Sequence, residues 1–370
     1  GNAKKPMYVV PNHMLAQFAK EFYEQYPMAR VAVADERRFH TDRRKQFIAD
    51  VALNDYDAVI MTHSSFELVP ISHQFSDRFI RDQIREFEEA IEEMAKAKDD
   101  DDNTARFTVR RLEAMKEKME QRLSANMSEA KRDQVFTFEE MGVDMLFVDE
   151  AHEHRKLDFP TQMGNIKGID PQGSMKAWDL YIKTRYLEEV NPGRGIVFAS
   201  GTPVTNTMAE LFTVSRYLQQ DALEAKGIRR FDAWAGVFGD VAEELEQTPD
   251  GGYKTVGRFS RFVNTAELSL MVRTVMDVVT SKQLAKYVTR PKLKGGKRNV
   301  VVVEPSAALK DYQAELGDRM RAIEARQGPP EPGDDIILSV INDGRLAAID
   351  LRLVGGPETD SKLERLIDNV

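Results

Sequence analysis

The chain has 370 residues, 42% hydrophobic and 31% charged, enough for two compact domains or one large domain carrying insertions. It contains no cysteine, which excludes disulfides and thiolate metal sites and fits a reducing cytosol. A net charge of −9 excludes a uniformly basic surface, though not a local patch that meets phosphate, and no stretch approaches the roughly 18 uninterrupted apolar residues of a membrane span.

The start, "GNAKKPMYVV", has no initiator Met and no signal-peptide pattern, as expected of a piece excised from a larger protein. "PMYVVPN" (6–12) predicts a short buried strand and 13–26 an amphipathic helix. "ARVAVAD" (29–35) is strand-like, 37–55 helical, and "YDAVIMTHSSF" (56–66) a strand ending in small polar residues. Strands alternating with helices predict a parallel α/β sheet.

The period then changes. Ile80, Ile84, Phe87, Ile91 and Met94 recur at heptad spacing, and after the acidic "KDDDDN" (98–103) a second seam runs through Leu112, Met115, Met119 and Leu123. Residues 75–135 are therefore expected to form an antiparallel helical hairpin inserted into the α/β domain, with its seam closed within the hairpin. The α/β pattern resumes with "VDMLFVDEAHEH" (143–154), a loop at 158–174, a helix near 175–190 and the strand "GIVFASGTPVTNT" (195–207). Beyond 208 the pattern is mostly helical to about 290. It is followed by the basic "RPKLKGGKR" (290–298), a strand at 299–305 and a loop at 327–335.

The chemistry concentrates at two strand ends. In open α/β sheets ligands sit beyond the carboxyl ends of the strands. An Asp149–Glu150 pair there suits nucleotide hydrolysis, with Asp149 holding Mg²⁺ through water and Glu150 orienting the attacking water. A metal cluster is disfavoured. His152 and His154 are two apart rather than four, and His13, His40, His63 and His73 offer no matching spacing. At the second strand end, Ser200 and Thr202 could hydrogen-bond the neighbouring acids, or simply begin a strand-to-helix turn.

"VDEAH" followed some fifty residues later by "ASGTPVTN" resembles motifs II and III of superfamily-two helicases, closest to the SWI/SNF-like translocases. "MYVVPNHMLAQFAKEF" is similar to their motif Ia and "DAVIMTHSSFE" to the next DNA-contacting motif. Residues 268–279, 301–313 and 346–356 match in order downstream. More narrowly, the chain resembles the helicase half of large phage and plasmid proteins fused to an N6-adenine DNA methylase. The resemblance implies a RecA-like lobe split over 1–74 and 136–215, the inserted hairpin, a helical extension and bridge over 216–359, and the start of a second lobe at 360–370. It implies ATP and Mg²⁺ as cofactors, with Asp149 on the metal and Glu150 on the water. His152, Ser200 and Thr202 would couple the nucleotide site to the DNA face, where Pro11, Asn12, His13, Thr62, His63 and Ser64 would meet the DNA backbone without regard to sequence.

A G-x-x-x-x-G-K-[ST] phosphate loop is expected before the strand at 6–12, where the chain has only five residues. Ser174 in "GIDPQGSM", the Lys254–Thr255 pair of "GGYKT" with no glycine beside it, and Arg298 in "KGGKRN" each break that pattern, and all three follow Asp149. An isolated chain that does not turn over ATP is therefore expected. The alternative is a non-catalytic module that binds DNA or a protein through 290–298 and the hairpin.

Overall fold

In the computed structural model the described residues are 3–35, 37–40, 43–96, 103–129, 136–163, 166–205, 207–247, 252–289, 294–298, 300–326, 328–331, 333–357 and 361–368. They fall into two compact units, residues 1–242 with 257–276, and residues 243–256 with 277–370.

The first unit is built on a five-stranded parallel sheet in the order β2-β3-β1-β4-β5, flanked by helices. The strands are β1 (Pro6–Val10), β2 (Val31–Val33), β3 (Ala58–Thr62), β4 (Met145–Val148) and β5 (Ile196–Phe198), so the strands read within 6–12, 56–66, 143–154 and 195–207 lie parallel in one sheet as expected. β1 and β3 at the centre read as near-continuous apolar runs, as strands covered on both faces must. On one face α1 (Leu15–Gln25) lays Leu15, Phe18 and Phe22 over Val10, Val31 and Ile60. On the other, Met7, Val9, Leu146 and Val148 join the main core with Ile48 and Val51 of α2 (Arg44–Leu53) and Trp178, Leu180 and Tyr181 of α6 (Met175–Val190). Ser174 caps α6 by accepting from the Ala177 amide. The architecture is that of a RecA-like α/β lobe.

A four-residue helix α3 (His63–Phe66) follows β3, and then the inserted hairpin of α4 (His73–Lys96) and α5 (Asn103–Glu129). The heptad residues do line the α4–α5 contact, but the seam is not closed within the hairpin. Ile80, Phe87, Leu112, Met115 and Met119 belong to the same apolar cluster as the sheet and α6. The Phe79 ring lies 5.3 Å from that of Trp178, and the Arg122 guanidinium sits 5.0 Å over the Trp178 ring. The buried Asp158 carboxylate accepts from Arg122 and from the Gly173 amide (3.2 and 2.7 Å). An isolated heptad repeat cannot reveal this, because a residue buried between two helices and one buried against a third body give the same period.

The stretch from 208 to about 290, expected to be mostly helical, is interrupted by a strand pair. After α7 (Ala209–Leu218), α8 (Gln220–Ala225) and α9 (Phe231–Phe238), the chain forms a two-stranded sheet of β6 (Gly239–Gln247) and β7 (Tyr253–Phe262), then α10 (Thr265–Arg273) and α11 (Ser281–Leu284). Gly239 marks the switch, because a Cβ there would meet the Phe259 ring at 1.7 Å. A second cluster centred on Phe212, Phe231, Trp234 and Phe259 packs α7, α8, α9, α10 and the Phe259 end of β7 together within the first unit. The GGYKT stretch lies largely in β7, and Gly173 of the 168–175 stretch serves Asp158.

In the second unit, residues 300–305 belong to no strand or helix, contrary to the strand expected at 299–305; residue 299 lies outside the described residues. A run of valines supplies strand propensity, but only a neighbouring strand makes a ladder. Three helices follow, α12 (Ala307–Ala325), α13 (Ile337–Ala347) and α14 (Lys362–Asp368), with Arg319 bridging Asp335 and Asp343 at 2.7 and 2.9 Å.

Candidate functional site

The carboxyl ends of β1, β3, β4 and β5 carry the residues of interest. Val148 pairs with Phe198, and the Ala199 amide donates to the Val148 carbonyl at 2.9 Å. Just beyond, the Ala151 amide donates to Ala199 at 3.0 Å, which places the Asp149–Glu150 turn beside Ser200. One Asp149 oxygen accepts from the Glu150 amide at 3.0 Å. Glu150 has φ 49° and ψ 43°, a left-handed conformation that an L-residue with a long side chain adopts at a cost of about 1–2 kcal/mol. The turn is therefore strained at the residue that carries the second acid.

His152 stands between the two strand ends. Its Nδ1 is 2.9 Å from Glu150 Oε2 and 3.1 Å from Ser200 Oγ. A carboxylate can only accept, so Nδ1 carries the proton and shares it between the two oxygens. Ser200 Oγ in turn accepts from the Thr202 amide at 3.1 Å, while the Thr202 side chain is exposed. Thus Asp149, Glu150, His152, Ser200 and Thr202 do meet, with Thr202 joined through its backbone. Glu210 of α7 secures the same loop: it accepts from the Thr205 amide at 2.7 Å and pairs with Arg155 at 3.0 Å. Nothing in the sequence separates Glu210 from its many acidic neighbours, and only the fold selects it.

Magnesium keeps most of its water and usually takes one or two carboxylates plus substrate phosphates. Among the described residues no group of three or more His, Asp or Glu side chains could hold a metal, so a closed all-protein cage is absent there. Asp149 and Glu150 fit the open type of site. Against β1, β4 and β5 lies a cleft of about 260 Å³ lined by Tyr8, Val10, Phe147, Val197 and Asp149.

The six residues expected at a DNA backbone divide into two groups. Asn12, His13 and Ser64 are exposed, and Ser64 Oγ donates to Asn12 Oδ1 at 3.2 Å across the ends of β1 and β3. Pro11, Thr62 and His63 are buried. Thr62 caps α3, accepting from the Ser65 amide at 3.1 Å. His63 points inward, with Nδ1 3.0 Å from Nε2 of His154, so its ring does not face solvent as a direct backbone contact requires. Burial lowers the pKa of His63, and burial together with the His63 ring lowers that of His154 to about 4. Sequence spacing set these two histidines aside as metal co-ligands and could not show that they meet. They lie 91 residues apart and meet only because β3 and β4 flank β1.

Below this layer, Lys183 is buried with Nζ 2.7 Å from Asp179 and 2.8 Å from the Phe66 carbonyl. Burial pushes Asp179 up to about 6 and Lys183 down. Of the basic 290–298 segment, 290–293 lie outside the described residues, and Lys294–Gly296 form a single turn in the second unit.

A parallel α/β lobe with an acid pair at one strand end, tied through a histidine to a Ser-Gly-Thr turn on the next, defines a helicase-like protein. The chain belongs to the family described as "Probable helicase domain", whose profile matches residues 1–280. It is also similar to "Defense against restriction protein B" of Escherichia phage P1, at 25% identity over 258 residues. That match takes in 69% of this chain and 11% of the phage protein's length.

Proposed function

We propose that the chain is the first motor lobe of a DNA-dependent ATPase of the DEAH, SWI/SNF-like type, and that it works within a DNA-modification system alongside an adenine methylase in the same polypeptide. The observation that carries the ATPase reading is the acid turn: Asp149 and Glu150 at the end of β4, with His152 bridging Glu150 to Ser200 of the neighbouring strand end. Asp149 is the residue to hold Mg²⁺, through water, and the metal would neutralise phosphate charge. Glu150 accepts a proton from, or orients, the attacking water. His152 holds the Glu150 carboxylate and senses Ser200 with one N–H. DNA is engaged through its phosphates by the Asn12–His13–Ser64 ridge, so binding is indifferent to sequence and weakens with salt.

No G-x-x-x-x-G-K-[ST] loop occurs within the 370 residues. The phosphate cradle therefore comes from elsewhere in the natural polypeptide, and residues 1–370 alone do not turn over ATP. An arginine from a second lobe supplies a further ~10³–10⁵ in rate in such enzymes. The test compares ATP hydrolysis, with and without duplex DNA, by the natural polypeptide, its Glu150→Gln variant and the 370-residue chain. DNA-stimulated turnover confined to the unsubstituted natural polypeptide is the expected result, with Glu150→Gln melting normally. Turnover by the 370-residue chain that disappears in Glu150→Gln overturns the placement of the phosphates. Transfer of a methyl group to DNA by the natural polypeptide tests the methylase association.

A further inference from the structure

One buried polar pair has no part in the reading above. His63 opens α3 at the end of β3, and His154 closes the short 3-10 turn (Ala151–His154) that follows the acid pair. They are 6% and 1% exposed, and their rings lie 5.1 Å apart.

The hydrogen-bond directions can be assigned in order. The Lys176 carbonyl, 3.2 Å from His154 Nδ1, can only accept, so Nδ1 carries the proton. His154 is neutral near pH 7, since burial lowers its pKa to about 4. Its Nε2 is then bare and accepts from His63 Nδ1–H at 3.0 Å. This leaves His63 Nε2 bare as well; that buried atom closes no hydrogen bond among the described residues, and the Asp149 backbone lies near the ring. Buried polar atoms are almost always paired, and a fully satisfied core network would not leave this one open.

The neighbours of the pair give the contact a direction. The residue after His63 is Ser64, which is exposed and donates to Asn12 Oδ1. The far end of α3 is fixed, because Phe66 is fully buried and its carbonyl accepts from Lys183 Nζ at 2.8 Å. His63 and Ser64 thus share one short turn, the first residue inward and the second outward, with its far end anchored. On the other side, His154 sits four residues from Glu150, whose left-handed backbone is held in place by its surroundings.

We propose that His154 is a positioning residue. Through its hydrogen bond to His63 it ties the exposed Asn12–Ser64 ridge to the Asp149–Glu150 turn, so that DNA on the ridge changes the stability of the acid turn. The inference rests on the reading of that ridge as the DNA face.

The experiment uses the 370-residue chain and a short double-stranded DNA oligonucleotide, with DNA affinity and backbone amide exchange measured together. DNA should slow exchange across 149–155 by about fivefold or more in the unsubstituted chain, the lower range for coupling between sites. His154→Phe keeps ring volume but removes both hydrogen bonds; it should bind DNA with unchanged affinity and lose the slowing. His154→Gln, whose amide again offers one donor and one acceptor, should restore it, which simple repacking would not do. If His154→Phe fails to fold, His63→Leu against His63→Asn carries the same comparison, since Asn keeps a donor near the Nδ1 position. DNA binding with no slowing at 149–155, or slowing that survives in His154→Phe, overturns the inference and leaves the DNA face standing. Absence of DNA binding by the unsubstituted chain removes the DNA face itself, and the inference with it.

Discussion

Replacing Asp158 by Asn should weaken the hold of the helical hairpin on the body of the first unit. The Asp158 side chain is 2% exposed and accepts from Gly173 N at 2.7 Å, Arg122 Nη1 at 3.2 Å and Lys118 Nζ at 3.5 Å. Asn keeps an acceptor for Gly173 but removes the charge. Arg122, 11% exposed and seated over Trp178, is then left nearly buried without its counter-ion. Breaking a buried pair costs about 3–5 kcal/mol, and the Lys118 contribution, 45% exposed, adds at most about 0.5 kcal/mol. We expect a loss of about 3 kcal/mol, towards the lower end because Arg122 keeps some access to water. Urea unfolding followed by tryptophan fluorescence reads this directly, since both tryptophans, Trp178 and Trp234, lie in the first unit. The midpoint should fall with little change in slope. A cycle with Arg122→Met should show coupling of more than about 1 kcal/mol. A loss below about 1 kcal/mol with additive single effects, as for a surface pair, would refute the account of how the hairpin is held.

Three further outcomes follow from the same geometry. Replacing α4 and α5 by a Gly-Ser linker should abolish the cooperative transition reported by Trp178, because Phe79, Phe87 and Met119 leave the shared core with them; a linker variant that melts as sharply as the parent contradicts the shared cluster. Glu150→Gly should raise stability by about 0.5–1 kcal/mol, relief of the left-handed strain outweighing the extra freedom of the unfolded chain, while removing the second acid; thermal melting that shows no gain argues against strain at this turn. His154 should make the protein acid-sensitive: its folded pKa of about 4 lies below the usual 6.5, so between those values the unfolded chain binds the extra proton. The stability it confers is complete above about pH 6.5 and is lost as pH falls towards 4, about 3 kcal/mol in all, and the difference between the urea profiles of the parent and His154→Gln isolates it from opposing groups such as Asp179.

The alternation of apolar runs with amphipathic helices was enough to define a parallel sheet, because strands covered on both faces must be apolar throughout and parallel strands need crossovers. The same runs ended in Asp149–Glu150 and Ser200–Thr202, and a parallel sheet brings consecutive strand ends to one edge, so that much of the candidate site was legible locally. The rest depended on which strands became neighbours. The order β2-β3-β1-β4-β5 brings His63 against His154 and Asn12 against Ser64, pairs 91 and 52 residues apart that no local period encodes. The hairpin's heptads specified two helices but not the body they rest on, which Trp178 and Asp158 supply from elsewhere in the chain. Likewise the β6–β7 sheet interrupts a stretch whose pattern is mostly helical because Phe259 packs onto Trp234 and Phe231, and burial of that aromatic cluster overrides a weak local propensity.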